Sequence, residues 1–149
     1  MGDEDDRPLE ADEGLLEGCA GPLLRYRREV GAEGVRVFAD VKKKHAAHAV
    51  TADLTLEAIA RGTAFCGADA LVVTGAETGA TTDPAHVRAA RAAGLPVVVG
   101  SGVTPQDARA LGAEAQALIV GSWLKAGGDG RAPVDVERVR ALRRALDGA

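Results

Sequence analysis

Two glycine-rich segments in the second half of the chain have the residue types of an anion-binding site. Gly100-Ser101-Gly102 and Gly121-Ser122 each follow a short run of apolar, mostly β-branched residues. Glycine lets the main chain approach a ligand closely, and N–H groups at the end of a strand or the start of a helix donate to anions. Ordinary tight turns would have the same composition. Because two successive segments share this design, they predict binding of a phosphate or similar oxyanion.

A second set of reactive side chains lies between Asp40 and His45. Alternation along the preceding apolar run places Asp40 on the opposite face from Val37 and Val41, towards the interior of a barrel. A carboxylate beside an imidazole or ammonium group is a workable proton-transfer unit near neutral pH. Asp40 and His45 are therefore the predicted acid/base groups, with Lys44 as electrostatic support. A solvated lysine loop in which Asp40 caps a turn is the alternative.

Several well-known site motifs do not occur in the sequence. There is no Walker A loop, no G-x-G-x-x-G fingerprint, no G-x-S-x-G elbow and no H-E-x-x-H helix. Cys19 and Cys66 lie far apart, without the spacing of a zinc site or a disulfide framework. We therefore expect no cofactor and no metal, and a small phosphorylated molecule as the ligand.

Composition narrows the classes of partner. Of 149 residues, 46% are hydrophobic, which is enough for a packed core, and 3% are aromatic, which is too few for a base-stacking surface, so no nucleic acid is expected. Residues 1–13 hold seven of the 22 acidic residues and predict an acidic disordered leader. No apolar run approaches the roughly 20 residues of a membrane span. A cytoplasmic protein without a transmembrane segment is expected.

Strand and helix patterns alternate four times along the rest of the chain. Strands are predicted at 35–41, 70–75, 96–100 and 117–121, and helices at 14–31, 55–67, 83–94, 104–112 and 136–146. This is an α/β pattern with parallel strands, in either an open doubly wound sheet or a (β/α)8 barrel. Periodicity does not choose between them. Glycine and polar residues after each strand favour the barrel, whose active site lies at that end.

Five ordered strings resemble the BtpA/SgcQ family. They are Leu23-Leu24-Arg25-Tyr26-Arg27, Val37 to Lys42 with Lys44-His45-Ala46, Ala70 to Gly75 with Thr78-Gly79, Val99 to Pro105, and Ile119 to Ser122 with Leu124-Lys125. The resemblance implies a TIM barrel of the phosphate-binding kind, in a family named for a photosystem I biogenesis factor, with other members described as sugar or nucleoside metabolism enzymes. It also implies that Thr74, Gly75, Thr78 and Gly79 are further substrate contacts.

The resemblance covers residues 14–146 and implies that a full-length relative has four more βα units. Residues 14–149 are thus expected to form half of a TIM barrel, with four C-terminal βα units. Four parallel strands leave two open edges, so such a half is expected to dimerise through them, to aggregate, or to be an incomplete gene product. The functional expectation is an enzyme acting on a phosphorylated sugar or nucleoside, inactive if the fragment lacks catalytic residues. A non-catalytic assembly factor for a membrane protein complex such as photosystem I is the alternative.

Overall fold

Four short parallel strands form one sheet in the computed structural model, which describes residues 18–44, 46–75 and 81–148. The strands pair in chain order, β1-β2-β3-β4. Their bounds are β1 Phe38–Asp40, β2 Ala70–Val73, β3 Val97–Val99 and β4 Ala117–Leu118. All three pairings are parallel. The expected α/β class is confirmed.

The strand order separates the two architectures that periodicity left open. A doubly wound sheet reverses its strand order at a switch point, whereas here every strand lies beside its sequence neighbour. Right-handed crossovers in a constant direction place all connecting helices on one face of the sheet. The fold is therefore a partial (β/α) barrel with four strands.

Five helices accompany the strands. They are α1 Ala20–Glu29, α2 Leu56–Phe65, α3 Pro84–Arg91, α4 Pro105–Glu114 and α5 Val136–Asp147. Local chemistry sets several starts: the Thr55 hydroxyl accepts from the Ala58 N–H at 3.2 Å, and Asp83 accepts from the Ala85 N–H at 2.7 Å. These side chains satisfy N–H groups that have no partner within the helix.

The core lies between the sheet and the helices. Leu71, Val97 and Val99 point from the strands towards the helices, where Val87 and Leu111 meet them, and each is at most 1% exposed. Full burial of one such side chain stabilises the fold by about 1.5–3 kcal/mol. The helix-facing side of the sheet is thus the stable platform on which the strand ends are held.

The opposite face of the sheet, which we call the inner face, has no covering layer within the described residues. Phe38 on β1 is 54% exposed and Ile119, just after β4, is 51% exposed. Towards the middle of the sheet exposure falls to 2% at Ala70 and 4% at Val98. In a closed barrel this face fills the interior, so here the inner face and the two edge strands β1 and β4 remain available for contacts.

Helix α1 is tied to the sheet by a carboxylate. Asp69 accepts hydrogen bonds from the Arg27 guanidinium at 2.8 Å, from the Val37 N–H at 2.8 Å and from Arg36 at 3.1 Å. These bonds lower the pKa of Asp69 to about 2. Between α1, α2 and β1 lies an apolar hollow of about 420 Å³. Asp69 therefore fixes α1 beside β1 even though no residue of α1 is fully buried.

The structure departs from the expected elements at some boundaries. Every strand is shorter than its apolar run, and β4 has two residues because the chain turns into a 3-10 segment at Ser122–Leu124. The expected leader, residues 1–13, lies outside the described residues. Within the described ranges, no helix is both long and apolar enough to span a membrane.

Candidate functional site

The residues that follow the strands meet at the carboxyl edge of the sheet, where two neighbouring cavities lie. The first, which we call the glycine cavity, has a volume of about 330 Å³. It is lined by Lys44, residues 100–104, Ile119, residues 121–123 and Gly128. The structure thus brings together Lys44, Gly100, Ser101, Gly102, Gly121 and Ser122, which were selected from distant parts of the sequence.

Packing accounts for the glycine at position 100. A Cβ atom there would lie 2.6 Å from Val72 Cγ1, on the neighbouring strand β2, and 2.9 Å from Thr74 Cγ2, directly after it. Gly102 has a φ of +70°, a conformation that other residues rarely adopt. Packing and backbone conformation therefore explain the glycines of this turn without a ligand. Only the polar groups of the turn can indicate that a ligand binds there.

Ser101 supplies such a group. Its Oγ is shielded from solvent and has no hydrogen-bond partner among the described residues. Its carbonyl accepts a hydrogen bond of 3.1 Å from the Thr82 hydroxyl. Thr82 is fully buried, so this bond fixes the main chain of the turn. A shielded hydroxyl without a partner costs about 1–3 kcal/mol, and ligand sites are one of the places where such groups occur. No pattern in the sequence indicated this role of Thr82.

The main-chain donors of both turns are also unused. No acceptor in the described part of the chain receives the N–H groups of Ser101, Gly102 or Gly121. A Cβ atom at Gly121 would meet no atom within 4 Å, so this turn faces open space. Two successive turns therefore present free donors to the same cavity.

Helix α5 holds the second turn in place. Arg138 donates to the Trp123 carbonyl at 2.7 Å, and its guanidinium lies 5.2 Å from the centre of the Trp123 ring. The Leu124 carbonyl accepts from the Asp135 N–H at 2.8 Å. A planar cation over an indole ring adds about 0.5–2 kcal/mol. Arg138 is a positioning residue that the sequence analysis missed, because it lies 15 residues away on the last helix.

The second cavity, which we call the lysine–histidine cavity, lies beside the first and has a volume of about 250 Å³. The loop after β1, the end of β2 and the starts of α2 and α3 form its walls. Its polar lining residues are Lys42, Lys43, Lys44, His48, Thr74 and His86. Lys44 lines both cavities. The two histidines had no assigned role in the sequence analysis.

Asp40 ends β1 on the inner face, as the strand alternation predicted. Desolvation raises the pKa of its carboxyl group, and the charges of Lys43 and Lys44 offset part of that rise. A carboxyl group with a raised pKa is better suited to proton transfer near neutral pH than an ordinary aspartate. His45, Thr78 and Gly79 lie outside the described residues.

The remaining two sequence-selected residues lie at the end of β2. Thr74 and Gly75 both line the lysine–histidine cavity. The Thr74 Oγ1, like the Ser101 Oγ, is shielded from solvent and finds no hydrogen-bond partner in the part of the chain that the structure describes. No cluster of three or more His, Cys, Asp or Glu side chains suited to a metal ion is found among residues 18–44, 46–75 and 81–148.

Comparison with known proteins shows relatives in all three domains of life. An uncharacterised mitochondrial protein of Caenorhabditis elegans is 40% identical over 130 residues, which are 87% of this chain and 47% of that protein. An uncharacterised protein of Pyrococcus furiosus is 38% identical over 135 residues, covering 89% of this chain and 50% of that protein. The photosystem I biogenesis protein BtpA of Synechocystis is 36% identical over 143 residues, covering 93% and 48%.

The chain spans about half the length of these curated relatives. The sequence model of the BtpA family matches residues 8–148, nearly the whole chain. This match confirms the resemblance drawn from the five ordered strings, and the chain belongs to the BtpA family.

Proposed function

We propose that this chain binds the phosphate group of a phosphorylated sugar or nucleoside in the glycine cavity, as part of a TIM-barrel enzyme. The observation that carries the proposal is the unpartnered Ser101 Oγ in the wall of that cavity. A tetrahedral oxyanion would accept from this hydroxyl and from the free N–H groups of Ser101, Gly102 and Gly121. Hydrogen bonds to an ionised acceptor are about twice as strong as neutral ones.

Lys44 supplies the positive charge of the proposed site. It lines the cavity, and no ion pair within the described residues neutralises it. The loops after the last two strands of a TIM barrel commonly hold phosphate, and β3 and β4 are the last two strands of this chain. The position of the glycine cavity therefore agrees with that arrangement.

In the proposed reaction Asp40 and His45 transfer protons and Lys44 stabilises developing negative charge. The raised pKa of Asp40 supports its part, because it allows the carboxyl group to exchange a proton at a pH closer to neutral. Thr74, Gly75, Thr78 and Gly79 are proposed to contact the remainder of the substrate. The remaining chemistry is proposed to come from residues of further βα units, because the relatives are about twice as long.

A thermal-shift titration with ribose 5-phosphate tests the binding proposal. A ligand present at 100 times its Kd stabilises the folded state by about 2.7 kcal/mol and raises Tm. Ser101→Asp is expected to abolish the shift by charge repulsion, and Ser101→Ala to weaken binding about tenfold. Ala113→Asp, which adds the same charge on the exposed side of α4, is the control. An unchanged shift in Ser101→Asp would show that the site is elsewhere.

We propose that the inner face is covered by four further parallel strands, which a second copy of the chain can supply through the β1 and β4 edges. Phe38 and Ile119, each more than half exposed, support this proposal because isolated sheet faces rarely leave large apolar groups uncovered. Light scattering gives the mass directly. A monomer that remains soluble at high concentration would contradict it.

The proposed compartment is the reducing cytoplasm, supported by the free and exposed Cys19 and Cys66.

A second candidate function is an assembly factor for a membrane protein complex. The same exposed inner face favours it, because an uncovered apolar surface can serve a protein partner. The name of the Synechocystis relative points in this direction. Co-purification with a membrane complex that is lost in Phe38→Asp, while ribose 5-phosphate binding persists, would favour this candidate over the enzyme.

A further inference from the structure

The lysine–histidine cavity brings together lysine ammonium groups and imidazole rings from separate elements of the fold. Lys42 and Lys44 come from the loop after β1, His48 follows that loop, and His86 lies in the first turn of α3. His48 Nε2 lies 2.8 Å from the Lys43 carbonyl oxygen, so its ring is held against the loop. These groups converge on one concave space although they are up to 44 residues apart in sequence.

Little negative charge opposes this cluster. Among the described residues, no aspartate or glutamate lines the cavity, and no ion pair involves Lys42 or Lys44. The nearest acid known to interact is Asp40, whose carboxyl group is attracted by Lys43 and Lys44 but whose pKa is raised by desolvation. Uncompensated cations in a concave site raise the local concentration of anions.

A polar group without a partner lies in the same wall. Thr74 lines this cavity, and its Oγ1 is shielded from solvent and makes no hydrogen bond to any described residue. The Ser101 Oγ is in the same state in the glycine cavity. The described chain thus has two such hydroxyl groups, one in each of two adjoining cavities.

The size and position of the cavities limit what they can hold. Drug-sized ligands occupy pockets of about 300–1,000 Å³. At about 250 and 330 Å³, each cavity suits one part of a ligand better than a whole molecule. The side chain of Lys44 lines both, and Thr74 Cγ2 would contact a Cβ atom at Gly100, so the two spaces are neighbours.

We propose that the lysine–histidine cavity is a second anion subsite, and that the ligand of this chain is a small molecule with an anionic group at each end, such as a sugar bisphosphate. One phosphate occupies the glycine cavity, and Lys42, His48, His86 and the Thr74 hydroxyl bind the other. Lys44 contacts both ends. The proposal extends the proposed function from a monophosphate to a bis-anionic substrate class.

Calorimetric titration with fructose 1,6-bisphosphate and fructose 6-phosphate tests the second subsite. The bisphosphate is expected to bind at least tenfold more tightly. Lys42→Met and His86→Gln, both at exposed positions, should reduce that preference to less than about threefold. Lys125→Met removes the same charge from a residue that lines neither cavity and should leave the preference intact. A third ligand, 3-phosphoglycerate, distinguishes a second phosphate from a carboxylate.

The outcomes separate this inference from the proposed function. Equal affinities for the two fructose phosphates in the unmodified chain would overturn the second subsite, even if Ser101→Asp abolishes both. A preference lost equally in Lys42→Met and Lys125→Met would also overturn it, because it would then reflect net charge alone. A preference that depends on Lys42 and His86 but is insensitive to Ser101→Asp would support the second subsite and refute the glycine cavity.

Discussion

Replacement of Gly100 by alanine tests how the end of β3 is packed. The new methyl group would lie 2.6 Å from Val72 Cγ1 and 2.9 Å from Thr74 Cγ2, against ordinary contacts of 3.4–4 Å. Both neighbours belong to or directly follow β2, where backbone pairing limits their movement. Overpacking of this kind costs about 1–3 kcal/mol, and the lower entropy of the unfolded alanine chain returns about 0.4–1 kcal/mol. With about 2 kcal/mol lost and about 0.7 kcal/mol returned as central values, the expected net loss is about 1.3 kcal/mol.

Chemical denaturation, with the free energy of unfolding extrapolated to water, measures this loss. Gly121→Ala is the matched control, because a Cβ atom there meets nothing within 4 Å and stability should change by less than about 0.5 kcal/mol. Ligand binding should show the opposite order. Gly121→Ala should weaken binding more than Gly100→Ala does, because the Gly121 methyl group enters the glycine cavity. The double variant Val72→Ala/Gly100→Ala should recover part of the loss. Gly100→Ala as stable as the unmodified chain would refute the close approach of β2 and β3.

Two further predictions concern pH. The pKa of Asp69 falls from its ordinary 3.8 to about 2, so its bonds stabilise the fold above about pH 4 and are lost as the pH falls towards 2. Asp69→Asn should therefore remove that part of the acid transition measured by circular dichroism. An unchanged acid transition would exclude this role of Asp69. The pKa of Asp40 is raised, so its ionised form destabilises the fold near neutral pH. Asp40→Asn should therefore raise Tm at pH 7, and a lower Tm would show that the carboxylate is stabilised by its neighbours.

The elements of the fold were predictable because their signals are local. Asp83 and Pro84 mark the start of α3, and both take the expected cap positions. The order of the strands was not predictable, since pairing of β1 with β2 joins residues 32 apart, at Phe38 and Ala70, and no local pattern encodes it. Strand lengths were overestimated because buried apolar runs continue past the last paired residue into the turns.

The candidate site was predictable only in part. Ser101 was selected for its glycine neighbours, yet the stronger evidence is its shielded hydroxyl, a property of the packed structure. Gly100 was interpreted as a residue that admits a ligand, whereas contacts with β2 explain it. His86 showed no signal because its partners in the lysine–histidine cavity come from a different βα unit. The sequence alone does not show that these site residues, which are far apart along the chain, lie close together in space.

The count of helices has a consequence for how this chain can assemble. Helix α1 precedes β1 and lies against its outer side, while α5 follows β4, so the four strands carry five helices. In a ring of two copies, α5 of one protomer and α1 of its partner would occupy the same groove over each junction. A ring of this kind would require one of the two helices to leave. Helix α1 buries no residue completely, whereas α5 buries Leu142, so α1 and its Arg27–Asp69 ion pair would be displaced. Breaking that ion pair would then be a requirement for closing the ring.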